Sequence, residues 1–243
     1  MNEINTPEGP VTQRVRTTLP EKLAKGWNGS RCWISYLLWG SRRGVPGLVD
    51  FAVGNHFFRA YQRADELKGL GEILAARPPQ CALEIGTAQG GTLLFLTRLA
   101  SPQATIVSVD LRGGRFGGGY NDVRARLYKL FAVRQQRLHL LQGDSHSASV
   151  LASVKAVLGS QKLDYLFIDG DHTYEGVKRD FELYVPLVGK GGIMALHDIA
   201  EHPSATGCDV FRFWNEIKYR YRHTEIIGDR KQKRWGIGVL YVD

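Results

Sequence analysis

Between residues 81 and 197 short apolar runs alternate with amphipathic segments, and this alternation restricts the fold more than any other feature of the chain. The runs fall near 81–85, 105–109, 137–141, 163–168 and 192–197, with helical patterns near 91–100, 121–133, 146–158 and 173–186 between them. Strands separated by helices lie parallel in one sheet, with helices covering both faces. The expected fold class is therefore α/β, a doubly wound, mostly parallel sheet. Downstream, a helix is expected over Asp209 to Tyr221. The runs Thr224 to Ile227 and Ile237 to Val242, joined by a charged connection, suit an antiparallel hairpin at the sheet edge, bringing the strands to seven. Upstream, the spacing of Phe57, Tyr61, Ala64, Leu67, Leu70, Ile73 and Leu74 predicts an amphipathic helix over His56 to Ala76, stopped by Pro78-Pro79. Residues 1–20, polar and proline-bearing, read as a mobile arm. Residues 21–55, apolar but broken by glycine and proline, read as a cap or lid segment; residues 56–243 read as the main domain.

In an open parallel sheet, ligands bind off the carboxyl ends of the strands. The first run leads into Glu84-Ile-Gly86-Thr87-Ala-Gln-Gly90-Gly91-Thr92, which reads as strand, tight turn, helix. Gly86 can take backbone angles that a side chain forbids, and Gly90-Gly91 are expected to let a ligand approach the free N–H groups of the helix start. The spacing departs from the Gly-x-Gly-x-x-Gly of dinucleotide sites. A carboxylate at Glu84 suits a ligand with cationic and hydroxyl groups better than a pyrophosphate. S-adenosylmethionine, a sulfonium bearing an amino acid and a ribose, is such a ligand. Asp110 ends the second strand where an acid would hold a ribose diol.

The remaining strands end in Gly143-Asp144-Ser145, Asp169-Gly-Asp171-His172 and His197-Asp198. Asp144, Ser145 and Asp171 have a second reading as helix caps. Caps do not explain Asp110, Asp169 and Asp198 together, since each lies at the edge of an apolar strand where an unpaired carboxylate is costly. Asp169 and Asp198 would end neighbouring strands and repel unless a cation lay between them, and oxygen ligands of this sort suit Mg²⁺. The alternative is that Asp169 touches the cofactor or a substrate hydroxyl. His197 is either a third ligand, which shifts preference toward a transition metal, or points into the sheet. The tract Arg112 to Tyr120, rich in glycine, is either a surface loop or a flap beside the cofactor.

The net charge of +8 would favour polyanions, but the basic residues are spread along the chain apart from Arg42-Arg43 and the Arg230 to Arg234 run, so no nucleic-acid partner is expected. Three distant cysteines, Cys32, Cys81 and Cys208, suggest neither a zinc motif nor a disulfide framework and fit a reducing cytoplasm. No signal peptide and no membrane span are expected. Oligomeric state is open, a homo-oligomer included.

Together these residues resemble the class I S-adenosylmethionine-dependent methyltransferases. The Glu84 to Thr92 stretch looks like their first motif, Asp110 like their second acid and Gly143-Asp144-Ser145 like their adenine-side motif. Leu166-Phe-Ile-Asp169-Gly-Asp171-His172-Thr-Tyr174, with Lys190 to Asp198, is similar to the small-molecule O-methyltransferases, nearest the macrolide-sugar, aminocoumarin-sugar and cephalosporin-tailoring branch. The similarity covers about Tyr61 to Val242. It implies a Rossmann-like fold, S-adenosylmethionine contacts at Glu84, Gly86, Thr87, Gly90, Gly91, Thr92, Asp110, Asp144, Ser145 and Asp169, and a divalent metal, Mg²⁺ foremost, on Asp169, His197 and Asp198. The relatives mostly carry an acid where this chain has His197. The base falls on His172, with Asp171 as the alternative. The implied activity is methyl transfer to a hydroxyl of a small molecule such as a sugar, a polyphenol or another natural-product intermediate. An RNA methyltransferase would lack both an appended RNA-binding module and an Asn-Pro-Pro-Tyr-like motif here. A non-catalytic cofactor-binding protein would have no evident need for Asp169, His172 and Asp198.

Overall fold

A computed structural model describes residues 44–229 and 233–243. The expected arm at 1–20, residues 21–43 of the expected cap, and Arg230 to Gln232 of the basic run lie outside the described residues. The helices are α1 (Gly44–Gly54), α2 (Ala64–Ala76), α3 (Gly91–Leu99), α4 (Asp122–Lys129), α5 (Ala148–Leu158), α6 (Tyr174–Tyr184) and α7 (Val210–Ile217). The strands are β1 (Cys81–Ile85), β2 (Thr105–Asp110), β3 (Arg137–Gln142), β4 (Leu163–Ile168), β5 (Val188–His197), β6 (Arg222–Ile226) and β7 (Ile237–Tyr241). They form one seven-stranded sheet in the order β3-β2-β1-β4-β5-β7-β6. The first five strands are parallel, and β7 runs antiparallel between β5 and β6. This is the doubly wound sheet with an edge hairpin that the alternation predicts.

Both faces of the sheet are buried, and the period-2 alternation of strand side chains divides the core into two layers. Ala82, Ile106, Tyr165, Phe167, Ile193 and Ala195 pack with α1, α2 and α3 on one face. Leu83, Ile85, Val107, Leu166, Met194 and Leu196 pack with α5, α6 and α7 on the other. The two cores leave the strands' carboxyl ends as the place where polar side chains can gather.

Several boundaries differ from expectation, α4 among them, which ends at Lys129 rather than near residue 133. The helix predicted over His56 to Ala76 begins at Ala64, because Asn55 Oδ1 accepts from the backbone N–H groups of Phe57 (2.8 Å) and Phe58 (2.9 Å) and holds the chain in a turn that ends α1. Strand β5 begins at Val188, earlier than the apolar run that starts at residue 192, and its register against β4 shifts between Leu163 and Tyr165. Helix α7 tightens after Ile217 into a 3₁₀ turn over Lys218–Arg220 instead of continuing to Tyr221.

Candidate active site

A cavity of about 830 Å³ opens where the parallel strands end. Gly86, Asp110, Asp144, Ser145, Asp169 and Asp171 line it, and so do His172, His197 and Asp198. Of the acids expected to converge there, Glu84 does not. It is the penultimate residue of β1, on the same face as Ala82, and is 1% exposed. Ser108, its partner in β2, donates a hydrogen bond to Glu84 Oε2 at 3.1 Å, and the Thr87 hydroxyl bonds to that of Ser108. Glu84, Thr87 and Thr92 therefore form a polar layer beneath the turn, out of contact with the cavity, which corrects their expected role as direct cofactor contacts.

Burial pushes the Glu84 carboxyl up to about 8, and its hydrogen bonds to Thr92 and Ser108 only partly oppose this. A carboxyl raised in the folded state from about 4.5 contributes stability that is intact below pH 4.5 and is lost as pH rises through 8. The Glu84→Gln variant is expected to gain stability over wild type by a few kcal/mol between pH 7 and 9 and to match it near pH 4. Denaturant melts across that range check this, and a constant difference at all pH values would refute it.

The glycine turn is crowded by the protein itself. A Cβ on Gly86 (φ +97°) would lie 2.0 Å from the Asp169 carbonyl oxygen, and one on Gly91 would lie 2.1 Å from Ala60 N. At Gly90 (φ +79°) a Cβ would lie 2.7 Å from the Tyr128 ring. Gly90 and Gly91 thus serve chain packing and do not line the cavity, contrary to their expected role of admitting a ligand at the helix start. Ala88, held at φ +44° between Gly86 and Gly90, donates its N–H to Asp110 Oδ2 at 3.0 Å. The same oxygen accepts from Gly119 N at 2.9 Å. The tract Arg112 to Tyr120 is therefore folded onto Asp110 rather than lying free, and its Phe116 ring stacks on His172 with centroids 4.8 Å apart.

At the other end of the cavity three imidazoles surround two carboxylates. His172 Nε2 lies 3.3 Å from Asp169 Oδ1, and its Nδ1 lies 3.1 Å from Asp198 Oδ2. His197 Nδ1 lies 3.0 Å from Asp169 Oδ1 and 3.6 Å from Asp198 Oδ1. His202 Nε2 is 3.1 Å from Asp198 Oδ1. Burial alone would push His172 down, but Asp169, Asp198 and Cys208 hold it well above the usual imidazole range. Burial opposes charge at Asp198 too, and the His197 charge with the His172 and His202 contacts overcomes it, holding the carboxyl well below the usual range. Asp198 adopts φ +62°, a strained conformation for a residue with a side chain.

Several residues here carried no sequence signal. Gln62 Nε2 donates to Asp169 Oδ2 at 2.6 Å. Glu66, in the first turn of α2, accepts from Gly236 N at 2.8 Å and lies 3.7 Å from His197 Nε2. Cys208 and His202 line the cavity beside His172 and Asp198. Asp171, the alternative base, accepts from Thr173 N at 2.9 Å, and Thr173 caps α6 through Gly176 N. Asp144 Oδ1 likewise accepts from His146 N at 2.9 Å, and the Ser145 carbonyl accepts from the Tyr184 hydroxyl at 2.8 Å.

Residues 83–199 match the family model described as "Methyltransferase domain". Those residues contain the glycine turn, Asp110, Asp169, His172 and Asp198. Among solved structures, the chain resembles cofactor-bound Rv0187 from MTB, with 18% identity, TM-score 0.56, and 95% of this chain and 94% of that one covered. It also resembles the O-methyltransferase TomG from Streptomyces achromogenes, involved in tomaymycin synthesis and solved with SAM, with 16% identity, TM-score 0.53 and coverage of 93% and 100%. A third likeness is to the O-methyltransferase from Bacillus cereus in complex with SAH, with 16% identity, TM-score 0.55 and coverage of 89% and 99%. At these identities the likeness establishes the class I methyltransferase fold. A curated relative, "Uncharacterized protein R132" of Acanthamoeba polyphaga mimivirus, is 26% identical over 120 residues, 49% of this chain. The alignment spans about half the length of that relative, 52%.

The fold brings the three expected Mg²⁺ ligands together, with Asp169, His197 and Asp198 offering atoms within 4.8 Å of one another. The donors suit Mg²⁺ poorly. That ion demands oxygens in near-octahedral array, whereas one donor is an imidazole and every carboxylate oxygen but Asp169 Oδ2 faces an imidazole nitrogen. Among the described residues, no helix is long and apolar enough to cross a membrane.

Proposed function

We propose that the protein transfers the methyl group of S-adenosylmethionine to a hydroxyl of a small molecule such as a sugar or polyphenol. The observation that supports this reading is a single cavity with two unlike ends: the Gly86 turn and Asp110 at one, and Asp169, His172 and Asp198 at the other. A volume near 830 Å³ matches sites that take a cofactor-sized ligand with a small acceptor. When bound, S-adenosylmethionine supplies a methyl on a positive sulfur that leaves readily, so the chain's task is mainly alignment. Asp110 Oδ1 accepts from ribose hydroxyls while Oδ2 stays on the Ala88 and Gly119 amides. Asp144 and Ser145 border the adenine side.

An acceptor hydroxyl is almost wholly protonated at neutral pH and needs a group that takes its proton as the bond forms. Both His172 nitrogens face carboxylates, so the ring presents N–H groups rather than a free lone pair. The proton-handling unit is therefore the Asp169–His172 pair: Asp169 receives the hydroxyl proton, and the contact between its Oδ1 and His172 Nε2 shares the charge. Gln62 fixes the other Asp169 oxygen. Phe116, stacked on the His172 ring, keeps water from that side.

Calorimetric titration with S-adenosylhomocysteine, followed by turnover on a panel of hydroxylated acceptors, tests the reading. The Asp110→Ala variant is expected to bind S-adenosylhomocysteine roughly 10- to 100-fold more weakly, the range of one charge-assisted hydrogen-bonding group. Wild-type affinity in that variant would remove Asp110 from the cofactor end. Turnover on RNA, but on none of the small acceptors, would overturn the acceptor class.

A further inference from the structure

We propose that the cavity holds a transition-metal ion of the Zn²⁺ class, bound by His172 Nδ1, Asp198 Oδ2 and the Cys208 thiolate. The proposal rests on the reading of this cavity as the active site for the ion's use, though not for its binding. These three residues offer ligand atoms that all lie within 4.8 Å of one another, and all three line the cavity. His172 Nδ1 and Asp198 Oδ2 are already 3.1 Å apart. Two donors each about 2.1 Å from one ion lie roughly 3–3.5 Å apart, so this spacing needs little adjustment. Imidazole, carboxylate and thiolate together are a donor set that hard ions disfavour and borderline ions prefer. Three protein ligands facing a cavity leave a fourth position open, as in catalytic rather than structural zinc sites.

The surroundings supply a second, independent indication. A histidine that binds a metal through one nitrogen commonly donates its other N–H to a carboxylate, which fixes the tautomer. His172 Nε2 faces Asp169 Oδ1 at 3.3 Å, and Gln62 holds Asp169 in turn. His202 lies 3.1 Å from the Asp198 oxygen that the ion would leave free. Asp198 keeps its strained φ of +62°, which aims its carboxylate between His172 and His202. The Cys208 thiol and the His172 Nδ1–H each release a proton to solvent as the sulfur and the ring nitrogen bind, while Nε2 keeps its proton toward Asp169.

The test uses the full chain, stripped with chelator and loaded with one equivalent of Co²⁺ as the spectroscopic probe. Wild type is expected to show a thiolate-to-cobalt charge-transfer band in the near ultraviolet, together with intense visible bands of low coordination number. Cys208→Ser should lose the charge-transfer band, and a Cys32→Ser, Cys81→Ser double variant should keep it. Asp169→Asn should retain the band while weakening Co²⁺ binding about tenfold, the usual effect of removing an outer partner. Excess Mg²⁺ should not displace the cobalt. A wild-type cobalt complex without the charge-transfer band, a band that survives Cys208→Ser, or no stoichiometric binding would overturn the proposal. Because the readout is spectroscopic, a full cobalt signature with no methyl transfer would support this site and count against the proposed activity alone.

Discussion

Replacing Gly86 by Ala is expected to destabilise the fold by about 4 kcal/mol and to abolish cofactor binding. Two independent costs combine. The residue sits at φ +97°, where an alanine is strained by about 1–3 kcal/mol. Its Cβ would also lie 2.0 Å from the Asp169 carbonyl oxygen, a backbone atom that cannot turn away as a side-chain tip can. Relieving that overlap means parting the ends of β1 and β4, and overpacking of this kind costs a further 1–3 kcal/mol. Asp169 N donates to the Ile85 carbonyl at 2.8 Å, so the parting also loosens a hydrogen bond that sets Asp169 at the rim. Urea melts of Gly86→Ala against Gly159→Ala provide the comparison, since Gly159 also has positive φ but open space around its Cβ position. Equal losses in the two variants would show that backbone strain alone matters and that the contact with Asp169 does not.

Replacing His172 by Ala is expected to lower turnover 10²- to 10⁴-fold while S-adenosylhomocysteine affinity stays within about twofold, the range usual for a lost acid–base group. The separation follows from position. His172 touches Asp169, Asp198 and Phe116 at the end proposed for the acceptor, whereas the Gly86 turn and Asp110 build the end proposed for the cofactor. A structural role would show as a lowered melting temperature with turnover per folded molecule unchanged. Removing the imidazole leaves Asp198 with His197 and His202 as neighbours, so the carboxylate keeps partners and the variant is expected to fold. Unchanged turnover in folded protein would end the role assigned to the Asp169–His172 pair.

The strands were legible because their signals are local. Apolar runs buried on both faces, each ending at glycine or aspartate, identify themselves without knowledge of the rest of the chain. Asp110, Asp169 and Asp198 were legible for the same reason, as charges placed where an apolar strand stops. Glu84 was legible in principle and misread. It shares parity with Ala82, which assigns it to the sheet face under the helices rather than to the rim, and its nearness to the glycine turn concealed this. The helix expected from His56 failed because an Asn55 side chain competed with the helical pattern for two backbone N–H groups.

Gln62, His202 and Cys208 could not have been found this way. Gln62 lies 107 positions from Asp169, its hydrogen-bond partner, and nothing in its neighbours marks it. Cys208 reads as an isolated cysteine until the loop after β5 brings it beside His172 and His202. Sequence alone determined the sheet, its alternation with helices, and which acids end the strands, because hydrophobic periodicity and chain punctuation act over a few residues. Tertiary structure decided which side chains share the cavity and which glycines are there for packing, because both depend on contacts between segments far apart in the chain.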